Sequence, residues 1–182
     1  MNTQIEIKEN GTTTLATAGK YCDRNIDVNV DVPSNDAELE EQKATTDSIL
    51  DRTITEYANN TLTKIGANAF SYCDSLHTVN CPKVSVLEAG CFMYCSALQR
   101  IEFFPVNDIY SNAFSNCSKL DTLIIRYNDI CRLRAASAFN NTPIKNGTGY
   151  IYVPDDLVED YKTTTNWTTY ANQIKPISEL EE

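Results

Sequence analysis

The sequence predicts an α+β repeat fold: a short solenoid with parallel strands stacked on one face, preceded by a small antiparallel β module and a connecting helix. Three observations predict this architecture. An apolar pattern returns every 22 residues between residues 65 and 130, the first 33 residues alternate apolar and polar side chains, and an acidic helix start follows Pro33.

The repeat is present in three regular copies, residues 65–86, 87–108 and 109–130. A fixed period in the range of about 20–29 residues, with an L-x-x-L-x-L core in each copy, indicates a leucine-rich solenoid. No copy can bury its apolar face alone, so each one must stack on its neighbours. Five apolar columns are in register across the copies: Ile65, Leu87 and Ile109; Phe70, Phe92 and Phe114; Cys73, Cys95 and Cys117; Leu76, Leu98 and Leu120; Val79, Ile101 and Leu123.

Alternation within each copy predicts one strand with one buried face. A degenerate fourth copy, residues 131–154, aligns Tyr150–Pro154 with Thr78–Pro82, so four parallel strands are expected. Tyrosine and arginine on an open face are typical of interaction surfaces, although simple solvation of these strands, or a functional convex side, is also open. The candidate ligand-binding residues on the outward side are Arg100, Glu102, Thr122, Ile124, Tyr150 and Tyr152.

Residues 1–33 have the pattern of a small antiparallel β module. Every second residue from Ile26 to Val32 is apolar, and residues 9–11 carry a turn signal. This module is shorter than roughly 40 residues, the length below which a domain usually needs disulfides, metals or oligomerisation to fold stably. We therefore expect residues 1–53 either to form a homo-oligomer or to dock onto another surface.

Residues 34–53 begin as a helix, because Asn35 is a suitable N-cap and Glu38 follows three residues later. Apolar residues are sparse along it, which favours a polar connecting helix over a short oligomeric stalk. The solenoid then covers residues 54–154, with Ile54 and Leu62 as the apolar anchors of an atypical first repeat.

Residues 155–182 have the pattern of a C-terminal cap. Asp155 and Asp156 open a helix directly after Pro154, and Pro176 ends the apolar pattern. The side chains expected to cover the open end of the stack are Leu157, Val158, Tyr161, Trp167, Tyr170 and Ile174.

Charge and cysteine content exclude several classes of protein. A net charge of −10 repels phosphate backbones and anionic lipids, so neither nucleic-acid binding nor membrane insertion is expected. We also expect no spanning helix and no signal peptide, and synthesis in the cytoplasm. Seven cysteines, three of them in one repeat column, favour reduced thiols over a disulfide framework.

No catalytic residue, metal site or cofactor is predicted. His77 lies between two apolar columns with no positioned nucleophile or carboxylate, which favours a solvated side chain. The cysteine column lacks the paired spacing of a zinc site and is better explained as small apolar packing. The acidic residues near 155–160 could bind a cation, but they also complement a helix dipole, which is the simpler explanation.

The repeat pattern I-x-x-x-A-F-x-x-C-x-x-L-x-x-[VIL] resembles the BspA-like leucine-rich repeats of bacterial surface proteins, some protozoa and prophage-encoded structural proteins of gut Firmicutes. This resemblance covers Ile65 to about Pro154. Residues 9–33 look like the leader of phage tail or baseplate proteins. The closing pattern Y-V-P-x-x-L-V-x-x-Y-K, followed by W and Y-A, is similar to the last unit of prophage-encoded members.

These resemblances imply a non-catalytic structural and interaction protein, an accessory tail, baseplate or decoration protein of a phage or prophage virion. Its expected partners are a protein or glycan on a cell surface, or other virion proteins. The alternative is a BspA-like adhesin on the bacterial cell surface, for which a signal peptide and a wall anchor would be expected.

Overall fold

The computed structural model describes Thr13–Thr17, Ile26–Val28 and residues 56–180. The helix expected over residues 34–53 lies outside these residues. The strands, in chain order, are β1 Thr13–Thr17, β2 Ile26–Val28, β3 Glu56–Ala58, β4 Leu62–Ile65, β5 Thr78–Asn80, β6 Val86–Leu87, β7 Arg100–Phe103, β8 Asp108–Ile109, β9 Thr122–Ile125, β10 Arg132–Leu133, β11 Tyr150–Val153 and β12 Ile174–Pro176.

Within the described residues, the helical elements are short and lie in the C-terminal part. The α-helices there are α1, Pro143–Asn146, and α2, Val158–Thr163. No helix of the described residues has the length and apolar content needed to cross a membrane. The 3₁₀ helices are Ala136–Phe139, Asp155–Leu157, Trp167–Gln173 and Ile177–Glu179.

One stack of strands forms a six-stranded sheet in the order β10-β8-β6-β4-β1-β2. The strands of the regular repeats pair in parallel at a step of 22 residues, for example Ile65 with Leu87 and Leu87 with Ile109. At the far end β1 pairs in parallel with β4 and antiparallel with β2. The expected antiparallel β module is therefore represented by β1 and β2, and β1 continues the solenoid sheet.

A second stack carries the longer strand of each repeat. It comprises the pair β3-β5 and the sheet β7-β9-β11-β12, all parallel. Thr122 pairs with Arg100 of the preceding strand and with Tyr150 of the following strand. Tyr150 therefore occupies the same position in its copy as Arg100 and Thr122 do in theirs, which confirms the predicted alignment of the degenerate copy. The stack has more strands than the four expected, because β3 precedes them and β12 follows. Ile174, expected in a helical turn of the cap, begins β12.

The hydrophobic core takes side chains from both stacks, and all five predicted columns are buried. The phenylalanine column is the most regular. Its successive ring centroids lie 5.2, 5.4 and 5.5 Å apart from Phe70 through Phe92 and Phe114 to Phe139, with planes within 3–6° of parallel. Tyr57 covers the first ring of the column at 4.9 Å.

The buried cysteines belong to this core. Cys95 and Cys117 each donate a thiol hydrogen bond of 2.9 Å to the carbonyl of the phenylalanine in the preceding repeat. Burial raises the pKa of the Cys81 thiol to about 12 and raises the pKa values of Cys91 and Cys95 well above their usual range. The expectation of reduced thiols is wrong at Cys73, which is disulfide-bonded. In the part of the chain that the structure describes, the free cysteines are Cys81, Cys91, Cys95, Cys117 and Cys131.

The C-terminal cap extends the second stack with β12 and closes the first stack with side-chain hydrogen bonds. Beside β10, the Cys131 amide donates to the Tyr161 hydroxyl at 2.9 Å, and Trp167 Nε1 donates to the Cys131 carbonyl at 2.6 Å. Asn166 Nδ2 donates to the Leu133 carbonyl at 2.7 Å. The last repeat thus leaves few unpaired backbone groups at this end.

Candidate functional site

The outer side of the second stack brings together the residues that the sequence predicts as a binding surface. Parallel register places Arg100 beside Thr122 and Thr122 beside Tyr150. A neighbouring row contains Glu102, Ile124, Tyr152 and Lys175 in the same way. We call these two rows the strand face.

The C-terminal end of the strand face carries an aromatic and cationic cluster. The Tyr150 and Tyr152 rings lie 6.4 Å apart in an edge-on arrangement, and Lys175 Nζ lies 4.4 Å from the centroid of the Tyr150 ring. Tyr150 is 36% exposed, which is high for an aromatic side chain on a sheet. Lys175 is also 3.4 Å from Glu179. A cation held over an aromatic face gives a rigid, partly desolvated contact point.

Charged side chains fill the middle of the strand face. Arg126 forms a close ion pair with Glu102, and Arg100 Nη2 lies 4.0 Å from the same carboxylate. The Arg100 side chain is largely exposed, so most of its donors remain available to a partner. Glu102 acts mainly to orient the two arginines.

Two predicted site residues are less available than expected. The prediction that Ile124 is exposed is wrong, because its side chain has 0% exposure. It does not belong to the core cluster. Its neighbours in register are Glu102 and Tyr152, whose longer side chains account for its burial on the outer side. Thr122 is half-buried and donates a 2.7 Å hydrogen bond to Asp121.

Lys175 is the residue of this surface that sequence reasoning missed. Its position depends on β12, a three-residue strand ending in Pro176 that pairs with β11. The alternation in so short a strand is too brief to identify it. The Tyr152–Lys175 register therefore becomes visible only in the folded chain.

The alternative chemical sites receive no further support from the geometry. His77 is exposed at the start of a strand segment. Asp155 accepts a hydrogen bond from the Ser178 amide, and hydrogen bonding to Ser178 lowers the pKa of this carboxyl. Glu159 pairs with Lys162 at 2.8 Å. Within the described part of the chain, no three His, Cys, Asp or Glu residues are grouped so that they could hold a metal ion.

Comparison with known families gives a match over more than half of the chain. The family described as BspA type leucine rich repeat region (6 copies) matches residues 52–156. No curated protein matches the chain. Leucine-rich repeats of this kind are generally non-catalytic and mediate protein interactions. The periodic sequence, the parallel stacks and the family match agree, and the chain belongs to the BspA-type leucine-rich repeat family.

Proposed function

We propose that the protein is a non-catalytic interaction protein that binds a protein or glycan partner through the strand face. The observation that carries this proposal is the cluster of Tyr150, Tyr152 and Lys175 at one end of the face. Tyrosine supplies a large contact area at low cost in side-chain entropy, and it is enriched among residues that dominate binding energy.

The rest of the strand face supports the same proposal by adding polar specificity. Arg100 is exposed beside the Arg126–Glu102 ion pair, so the face offers a cationic group whose position is fixed by neighbours. Parallel strands lie about 4.8 Å apart, so side chains of successive repeats form a nearly flat array. Such an array suits an extended macromolecular surface better than a small molecule.

Aromatic truncation tests this proposal. We expect Tyr150→Ala to weaken binding of the labelled protein to its target cells at least tenfold, since tyrosines that dominate an interface often contribute about 2 kcal/mol or more. Tyr94→Ala is the matched control, because Tyr94 is an exposed tyrosine on a repeat turn and not on the strand face. Flow cytometry of titrated cells measures both. Loss of binding in Tyr94→Ala with no change in Tyr150→Ala would assign function to the turns and overturn the proposal.

We further propose that the protein works as an accessory tail, baseplate or decoration protein of a phage or prophage virion. The support is the resemblance of residues 9–33 to phage leaders and of the closing unit to prophage-encoded repeat proteins. An immunoblot of purified particles from an induced producing strain tests this setting. Detection on protease-accessible cell walls, without detection in particles, would favour the adhesin alternative.

A further inference from the structure

A cavity of about 270 Å³ lies at the end of the first strand stack, away from the strand face. It opens between β10 and the segment that joins α2 to the following 3₁₀ helix. Two arginines stand on one side and polar side chains on the other. The lining residues are Arg132, Leu133, Arg134, Thr164, Thr165 and Asn166.

The cationic side of the cavity is fixed by one buried carboxylate. Asp108, whose side chain is 8% exposed, accepts 2.6 Å hydrogen bonds from Arg132 Nη2 and Arg134 Nε. Each guanidinium has five N–H donors, and these bonds use one from each arginine. The Arg132 side chain is 63% exposed, and the Arg134 guanidinium lies 5.6 Å from the Tyr110 ring centroid. Two oriented cations therefore share one anion, which leaves one net positive charge.

The opposite side of the cavity offers hydrogen-bond acceptors and a hydroxyl. Thr164 Oγ1 donates to the Asp160 carbonyl at 2.7 Å, which leaves its lone pairs as acceptors. Asn166 Nδ2 donates to the Leu133 carbonyl, which leaves Oδ1 as an acceptor. The Thr165 side chain is exposed. These groups fit the hydroxyls of a polyol.

Size and charge narrow the ligand class. Sites for drug-sized ligands usually measure about 300–1,000 Å³, so this cavity suits a smaller molecule or one unit of a polymer. One net positive charge matches a carboxylate better than a phosphate monoester, which carries about −1.5 to −2 at neutral pH. The net charge of −10 on the whole chain adds to the repulsion of a doubly charged ligand.

We propose that this cavity binds a single carboxylate-bearing sugar unit, such as a uronic acid, with the carboxylate on Arg132 and Arg134 and the ring hydroxyls toward Thr165 and Asn166. This site is separate from the strand face, so it adds a second recognition element to the protein. The chemical groups that the site would recognise are one carboxylate and several neighbouring hydroxyls on the same ligand.

Titration of the ¹⁵N-labelled full chain with sodium D-glucuronate, D-glucose and inorganic phosphate tests the proposal. Glucuronate should produce saturable shifts in the amides of residues 132–134 and 164–166, with a Kd on the order of 1 mM, and glucose should bind at least tenfold more weakly. Equal binding of glucose, tighter binding of phosphate, or shifts confined to other regions would overturn the assignment.

Comparing the glucuronate affinity of two cavity variants with that of one variant elsewhere tests whether the ligand binds in this cavity. Arg134→Gln should weaken glucuronate binding at least tenfold, while Lys119→Gln, which removes an exposed cation outside both surfaces, should leave it unchanged. If Arg134→Gln does not fold, Thr165→Val replaces it and should weaken binding severalfold. Unchanged affinity in the folded cavity variant would overturn the site. Retained binding in Lys119→Gln shows that the loss in Arg134→Gln is not a general effect of removing one positive charge.

Discussion

Two positions in each regular repeat take a left-handed backbone conformation, and the residue type there determines how much strain the turn stores. The first position holds Asn68, Gly90 and Asn112, all with φ between 56° and 65°. Asparagine and glycine tolerate this region, whereas other side chains lose roughly 1–2 kcal/mol. The second position holds Tyr72, Tyr94 and Asn116, so the two tyrosines depart from the local preference. Their rings stack 4.4 Å apart, which offsets part of that cost.

Paired substitutions at Asn112 test this interpretation of the turns. Asn112 is exposed, so its replacement changes backbone preference and little packing. We expect Asn112→Val to be at least about 1 kcal/mol less stable than Asn112→Gly, because a β-branched residue resists positive φ. Urea denaturation followed by circular dichroism measures the difference. Equal stability of the two variants would contradict a left-handed turn at this position.

The Asp108 carboxylate predicts an acid-dependent loss of stability. Burial raises its pKa, but hydrogen bonds and charge from Arg132 and Arg134 outweigh burial, so the pKa lies below its usual value. A lowered folded-state pKa stabilises the protein above the unfolded value of about 3.9, and this contribution is lost as the pH falls from that value through the lower folded-state pKa. The gap in Tm between wild type and Asp108→Asn should therefore shrink from pH 6 to pH 3. A gap that stays constant would show that Asp108 contributes no ionisation-linked stability.

At this scale the sequence predicted strand-face residues but not the arginine cavity. Alternation placed Arg100 on the open side because the strand register repeats every 22 residues, and Tyr150 was placed by aligning the degenerate copy, which carries an insertion, with the regular copies. Arg132 and Arg134 contact Asp108 across separations of 24 and 26 residues, which the repeat period does not predict. Ile124 was misplaced because burial there depends on long neighbouring side chains, and alternation carries no information about them.

Among the elements, the phenylalanine column gives the solenoid its continuous core. Each ring contacts the next with nearly the same geometry, and Trp167 and Tyr170 cover the last ring at 6.2 and 5.3 Å. Ring pairs of this kind contribute about 0.5–1.5 kcal/mol beyond area burial. The column therefore links neighbouring repeats energetically as well as through backbone hydrogen bonds.

Truncation of one ring measures this linkage. Phe92→Ala should destabilise the protein by about 3–5 kcal/mol, because it removes a fully buried side chain from between two stacked rings. The matched control is Phe104→Ala, since Phe104 is 51% exposed and should cost no more than about 0.5 kcal/mol. Equilibrium unfolding in urea compares the two. Similar losses for both variants would contradict the assigned core column.

Strand length explains which elements could be predicted. The strands β5, β7 and β11 show alternation, and β9, in which residues 123–125 are all apolar, follows from the 22-residue repeat; the sequence placed all four. The strands β6, β8 and β10 have two residues each, too few to display a period, so the first stack was not predicted. These strands form because neighbouring repeats bring them into register.

At the scale of the whole molecule, the N-terminal segment has two possible arrangements. Pairing of β1 with β4 extends the solenoid sheet and is a docked arrangement, whereas self-association is the other arrangement that the sequence predicts for residues 1–53. These arrangements compete, because β1 cannot cover β4 of its own chain and at the same time serve a different partner. The boundaries predicted at residues 33 and 53 remain predictions.

Light scattering of the full chain beside a chain that starts at Thr53 separates the two arrangements. We expect the full chain to be a monomer, because β1 pairs with β4 of the same chain. A trimer or larger full chain beside a monomeric shortened chain would show that the N-terminal part self-associates instead. Monomers in both samples would contradict self-association and favour docking onto β4. Aggregation of only the shortened chain would also contradict it, since an uncovered β4 edge can pair between molecules.

The uniform step along the phenylalanine column has a consequence for how such proteins diversify. Because each ring meets the next at 5.2–5.5 Å and almost the same angle, any internal copy presents equivalent surfaces to both neighbours. In-frame duplication or deletion of 22 codons would then lengthen or shorten the molecule by one rung of about 4.8 Å without a new fold. Recombination can therefore change the length of the solenoid while the units that cover its two ends stay the same.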